Sequence, residues 1–121
     1  MKKILIVDDQ PDIRRLIHRT LGKRYEILEA GDGETALDMV RASEPDAVIL
    51  DVMMPGEFDG FEVLKQIKGD PALNAIFVVM VTAKGLSTDF ETGIRAGADG
   101  YLIKPFSPLQ LMNLLQEHLE K

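Results

Sequence analysis

Cysteine is absent from this chain. That excludes a disulfide framework and a thiolate metal site, and it suits a reducing, cytoplasmic setting. Long apolar runs are missing too, and none approaches the length of a membrane span. The opening Met1-Lys2-Lys3-Ile4-Leu5-Ile6-Val7-Asp8-Asp9 has the look of a leader. Its apolar run is short, however, two aspartates close it, and no small-residue cleavage site follows. The chain is expected to be neither secreted nor membrane-inserted. A basic excess is also lacking: 14 basic residues face 20 acidic ones, for a net charge of −6. Such a surface repels nucleic acid unless basic residues cluster, so direct nucleic-acid binding by this chain is not expected. The one basic concentration is Arg14, Arg15, Arg19, Lys23 and Arg24. It reads either as a solvated helix face or as a docking face for an acidic partner.

What is present is the composition of a globular protein. Apolar residues at 45% and charged residues at 28% exclude a disordered chain. A length of 121 residues suits one domain, expected over 1–121 with no output domain in that span.

Ile4 to Val7 and Ala47 to Leu50 are unbroken apolar runs, and Ile76 to Val81 is a longer, valine-rich one. Runs of this kind predict strands buried on both faces, as in a parallel sheet. The more mixed Tyr25 to Glu29 predicts an edge strand, and Tyr101-Leu102-Ile103 a short fifth. Helical spacing falls between them. Ile13, Leu16, Ile17 and Leu21 form one stripe, with Pro11 in the first turn. Ala36, Leu37 and Val40 form a second after Asp32-Gly33, and Phe61, Leu64 and Ile67 a third. Asp59 with Glu62, and Thr88 with Glu91, have capping-box spacing, and Gly97 supplies a stop before the fifth strand. Ser107, Pro108 and Gln110 open a last helix carrying Leu111, Leu114, Leu115 and Leu119. Strand and helix alternate five times, which predicts an α/β fold: a doubly wound parallel sheet in three layers.

In an open α/β sheet, ligands bind beyond the carboxyl ends of the strands. Those ends carry Asp8-Asp9, Asp51, Thr82-Ala83 and Lys104-Pro105. Three carboxylates brought together repel one another and call for a cation or a proton. Oxygen ligands without His or Cys point to Mg²⁺, with Mn²⁺ as the alternative. Lys104 and Thr82 then suit a phosphoryl group, and Asp51 suits the nucleophile of an aspartyl phosphate. Taken singly, each residue has a plainer reading. Asp8-Asp9 can cap the first helix, Thr82 can be a strand end, Lys104 a surface charge and Tyr101 an edge aromatic. Their convergence on one edge favours the chemical reading.

The motifs Ile4-Leu5-Ile6-Val7-Asp8-Asp9, Asp51-Val52-Met53-Met54-Pro55-Gly56, Asp59-Gly60, Val81-Thr82-Ala83-Lys84, Ala96-Gly97-Ala98-Asp99-Gly100-Tyr101 and Lys104-Pro105-Phe106 stand in order along the chain. Together they resemble the receiver domains of two-component response regulators, over Lys3 to Leu119. The resemblance implies a flavodoxin-like (βα)5 sheet of order 2-1-3-4-5. It implies that Asp51 is the phosphoacceptor, served by a phosphohistidine on a histidine kinase or a phosphotransfer protein. Asp9 is implied as a direct Mg²⁺ ligand, Asp8 as a ligand through water, and Asp51 and the Met53 carbonyl as the remaining ones. Thr82 and Tyr101 are implied as the switch pair, Lys104 as the phosphate contact, and Lys104-Pro105 as a cis bond. The protein is then a phosphoacceptor switch rather than an enzyme. Its signal is expected to leave through the fourth helix, the fifth strand and the last helix, toward an effector protein or a separate output domain. A homodimer formed on phosphorylation is a further expected assembly. Family members also present the first helix to kinases, which favours docking for the basic cluster. Met53 and Lys84 are expected to obstruct water and lengthen the life of the phosphorylated state.

One departure is visible. Both Glu57 and Phe58 separate Gly56 from Asp59, where the family usually has one residue. The spacing from Asp51 to Met53 is unaffected, so the extra residue bears on loop shape and partner choice. Three other readings compete. A haloacid-dehalogenase-type phosphatase wants an Asp where Met53 stands. A flavin module wants a phosphate loop where Asp8-Asp9 would repel the phosphate. A receiver-like module that no longer takes phosphate usually lacks an acidic residue or the lysine, and neither is missing.

Overall fold

The computed structural model describes residues 1–54, 56, 58–83 and 96–120. Strands β1 (Lys3–Val7), β2 (Glu26–Ala30), β3 (Ala47–Asp51), β4 (Phe77–Ala83) and β5 (Gly100–Lys104) form one sheet. Its order is β2-β1-β3-β4-β5 and every neighbouring pair is parallel. Helices α1 (Pro11–Leu21), α2 (Gly33–Ser43), α3 (Gly60–Lys68) and α4 (Pro108–Leu119) flank it. This is the doubly wound, flavodoxin-like arrangement that the alternation predicts.

Alternation along each strand sends side chains to opposite faces, and both faces are covered. Ile4, Ile6, Ile49, Val79 and Val81 pack with Ile17 and Leu21 of α1 and Leu111 and Leu115 of α4. Leu5, Val7, Val48, Leu50, Val78 and Met80 pack with Leu37 and Val40 of α2 and Val63, Leu64 and Ile67 of α3. Burying each such side chain contributes roughly 1.5–3 kcal/mol, and this anchors the strands whose ends carry the polar residues.

Local signals set the helix starts. Asp32 caps α2 by accepting from the Thr35 N–H (2.7 Å) and hydroxyl (3.1 Å). Ser107 and Gln110 make a full capping box at α4. Asp59 caps α3 through the Glu62 N–H, but the Glu62 carboxylate accepts from Gln66 Nε2 (3.4 Å) instead of completing a box. Gly97 adopts φ +99°, the left-handed conformation expected of a stop. The helix predicted from Thr88 through Ile94 lies outside the described residues.

Three sequence expectations shift. β2 begins at Glu26, one residue after buried Tyr25, whose hydroxyl donates to Glu120 Oε2 (3.1 Å). β4 begins at Phe77, one residue after Ile76, and ends as expected at Thr82-Ala83, which pair with Ile103 and Lys104. Leu16 is half exposed, since the buried face of α1 centres on Ile17 and Leu21 and Leu16 lies at its margin.

Candidate functional site

Strand register brings the candidate residues to one level. Val7 pairs with Leu50 and Asp51 with Val81, so Asp8 emerges beside Asp51. Thr82 and Lys104 follow at the ends of β4 and β5. β1 and β3 are adjacent, yet their following connections run to opposite sides of the sheet, so this edge is the topological switch point.

Asp8 is buried and its groups are taken up. Its N–H donates to the Ala30 carbonyl (3.1 Å), and its Oδ1 accepts from the Gln10 N–H (2.9 Å). Its Oδ2 accepts from Lys104 Nζ (3.2 Å). Gln10 caps α1 without a side-chain bond, so Asp8 fixes the entry to the helix rather than capping it. Asp51 is also buried; Oδ1 accepts from the Met53 N–H (3.3 Å) and Oδ2 from Lys104 Nζ (3.1 Å). Asp9 is exposed at the mouth, and one oxygen from each of the three aspartates lies within 4.8 Å of the others.

Gly60 sets how closely α3 approaches. A Cβ there would lie 2.2 Å from the Asp51 carbonyl oxygen and 2.8 Å from Val52 Cα. The Gly60 N–H donates to the Val52 carbonyl (3.0 Å), which seats the helix directly behind Asp51. Thr82 is buried, and Tyr101 packs partly buried against the core on the α2 and α3 side. The Lys104–Pro105 peptide is cis. Met53 is largely exposed (68%), and Lys84 lies outside the described residues.

The electrostatics follow from burial. Burial pushes the Asp51 carboxyl above its ordinary value, and the charge of Asp8 adds to the rise. Lys104 and the Met53 N–H oppose it without cancelling it. Burial works against the Lys104 ammonium, but Asp51 and Asp8 outweigh it and hold Lys104 above its ordinary value. Among the described residues, three carboxylates thus meet one ammonium. An all-oxygen donor set with excess negative charge fits a hard divalent cation and does not suit a soft one.

Residues 4–116 match the response regulator receiver domain family. The chain belongs to that family. Receiver domains are phosphoacceptor switches, fed from histidine kinases. The chain is 41% identical to the alkaline phosphatase synthesis transcriptional regulatory protein PhoP of Bacillus subtilis, over 91% of this chain and 45% of that protein. It is 36% identical to the DNA-binding response regulator MtrA of Mycolicibacterium smegmatis, over 99% of this chain and 51% of that one. It spans about half the length of these curated relatives. The crystallised chemotaxis protein CheY4 of Vibrio cholerae is 35% identical, with a TM-score of 0.90, covering 98% of this chain and 99% of that one.

Sequence reasoning missed one contact beside this candidate site. Arg14 was visible only as part of a basic cluster, yet its guanidinium turns inward to the Asp8 carbonyl. A backbone acceptor leaves no trace in a residue string, so only the fold reveals the contact.

Proposed function

We propose that Asp51 accepts a phosphoryl group from a phosphohistidine, with Mg²⁺ held by Asp9, Asp51 and the Met53 carbonyl, and by Asp8 through water. The carrying observation is Lys104 Nζ lying within hydrogen-bond reach of both Asp8 and Asp51, beside three clustered carboxylates. A carboxylate oxygen of Asp51 forms a bond to phosphorus as the P–N bond breaks, and the leaving imidazole keeps the electron pair and takes a proton. Bound Mg²⁺ supplies charge neutralisation and orientation for the phosphoryl oxygens. Lys104 stays with Asp51 and adds a second positive charge, and Thr82 supplies a hydroxyl at the neighbouring strand end. Mn²⁺ shares the same donor preferences and is the alternative ion.

Thr82 and Tyr101 form the switch pair, and the signal leaves through β5, α4 and the helix expected between β4 and β5. Residues 1–121 act as one receiver domain. The recipient is an effector protein or an output domain outside this span, and a phosphorylation-dependent homodimer is a further assembly. Net charge −6 argues against direct nucleic-acid binding by this span. The exposed Met53 shields the acyl phosphate and lengthens its life. Met53→Asn should lose phosphate faster, and an unchanged decay rate would refute the shielding.

The donor docks on α1. Ile13, Leu16, Pro105, Phe106 and Pro108 line a groove of about 450 Å³ beside the exposed Arg15, Arg19 and Lys23. That combination fits an amphipathic helix with an acidic row. The test follows phosphoryl transfer from a phosphohistidine protein into wild type, Asp51→Asn, Arg15→Glu and Arg19→Glu. Transfer that is lost in Asp51→Asn, and slowed in the arginine variants only with the protein donor, supports the proposal. Label that persists in Asp51→Asn overturns it.

A further inference from the structure

We infer that Arg14 is a positioning residue for the cation and phosphoryl site, holding the peptide that joins Asp8 to Asp9. The inference rests on the reading of the acidic cluster given above. Asp8 is fixed by its own bonds, but Asp9 is exposed, and among the described residues no hydrogen bond or ion pair holds its carboxylate. Its aim therefore depends on the peptide plane before it. The carbonyl of that peptide accepts from Arg14 Nη1 (2.5 Å).

Arg14 is itself held. Its Nε donates to Glu29 Oε1 (3.1 Å), and the other oxygen of Glu29 lies 3.1 Å from His18 Nδ1, one turn further along α1. The guanidinium lies beside Gly31, just after β2, where a Cβ would come to ordinary contact with Nη1 at 3.4 Å. The Arg14 side chain is only 19% exposed, against 67% for Arg15. A surface ion pair alone would matter little. Here one planar fork spans a strand carboxylate and the carbonyl between two site residues, a geometry that lysine cannot reproduce. Outer partners of this kind typically tune metal affinity by orienting the ligands. The same chain of contacts ties the seating of α1 on β2 to the aim of Asp9.

The test titrates Mg²⁺ into the ¹⁵N-labelled protein and follows amide shifts. Arg14→Ala should weaken Mg²⁺ binding about tenfold. It should also displace the Asp9 amide resonance in the metal-free protein, a signature that general destabilisation would not single out. Glu29→Gln should act in the same direction but less. Arg14→Lys should fail to restore affinity, and Arg41→Ala, which removes a distant charge, should leave it unchanged. Wild-type affinity in Arg14→Ala, or full rescue by lysine, overturns the inference. If Arg14→Ala does not fold, Glu29→Gln and Arg14→Lys decide it. Wild-type protein without Mg²⁺-dependent shifts overturns the site reading and this inference with it, whereas normal wild-type binding with an unaffected Arg14→Ala overturns this inference alone.

Discussion

Adding one methyl group behind Asp51 should cripple the site without touching any reacting group. Gly60 opens α3 against the backbone of Asp51 and Val52, and a Cβ would lie 2.2 Å from the Asp51 carbonyl oxygen and 3.0 Å from its carbonyl carbon. The first of these is more than an ångström inside ordinary van der Waals contact. Its neighbours are backbone atoms of a buried central strand, so no rotamer change relieves the clash. Either α3 lifts, stretching the bond from the Gly60 N–H to the Val52 carbonyl, or the end of β3 moves. Overpacking of this kind costs about 1–3 kcal/mol. For a domain of this size that lowers Tm by roughly 4 °C per kcal/mol. A displacement near 1 Å at a reacting group costs about 100-fold in rate. Gly60→Ala should therefore fold with reduced Tm and take a phosphoryl group from acetyl phosphate about 100-fold more slowly, although Asp8, Asp9, Asp51 and Lys104 are intact. Gly56 is the control. It adopts φ +99° but has open space around its Cβ position, so Gly56→Ala adds backbone strain without driving atoms into Asp51. Gly60→Ala with wild-type Tm and wild-type phosphorylation rate would refute the reasoning.

Removing Lys104 leaves Asp8 and Asp51 without their shared ammonium, so Lys104→Ala should cost the metal-free protein about 2 kcal/mol by denaturant titration. Saturating Mg²⁺ should recover part of that loss. Asp51→Asn should stabilise the metal-free protein at neutral pH. The folded Asp51 carboxyl sits above its ordinary value of 3.8, so the stability it contributes is full below that pH and is lost as pH rises through the folded value. The gap in Tm between Asp51→Asn and wild type should therefore be small in acid and open toward neutrality; a constant gap would contradict it. Asp32 behaves oppositely. The Thr35 N–H holds its carboxyl below the ordinary value, so the cap stabilises α2 above the usual carboxylate range and is lost as pH falls through the lowered value. Asp32→Ala should lower Tm by a few degrees at neutral pH, with the difference shrinking in strong acid.

Much of this architecture is legible in the residue string because burial on both sheet faces forces unbroken apolar runs. Ile4 to Val7 and Ala47 to Leu50 can be placed for that reason, and the aspartates that follow them are the ones the fold brings together. The end of β4 at Thr82-Ala83 is legible as well, but its partners are not, because Thr82 and Ala83 pair with Ile103 and Lys104 across a crossover. Glu62 has capping-box spacing but turns to Gln66, a choice between two local partners that spacing alone does not decide. Leu16 fits the apolar stripe of α1 yet lines an open groove, because helical period fixes a face but not its width. Arg14 and Arg15 are neighbours of one chemical type with opposite fates: one grips the Asp8 carbonyl and the other points to solvent.

The most direct test of the central claim is the intact mass of the purified protein after incubation with Mg²⁺ and acetyl phosphate, measured beside Asp51→Asn. The account predicts a gain of one phosphoryl group that requires Mg²⁺ and vanishes in Asp51→Asn. A gain that survives in Asp51→Asn, or that proceeds equally without a divalent cation, would contradict it.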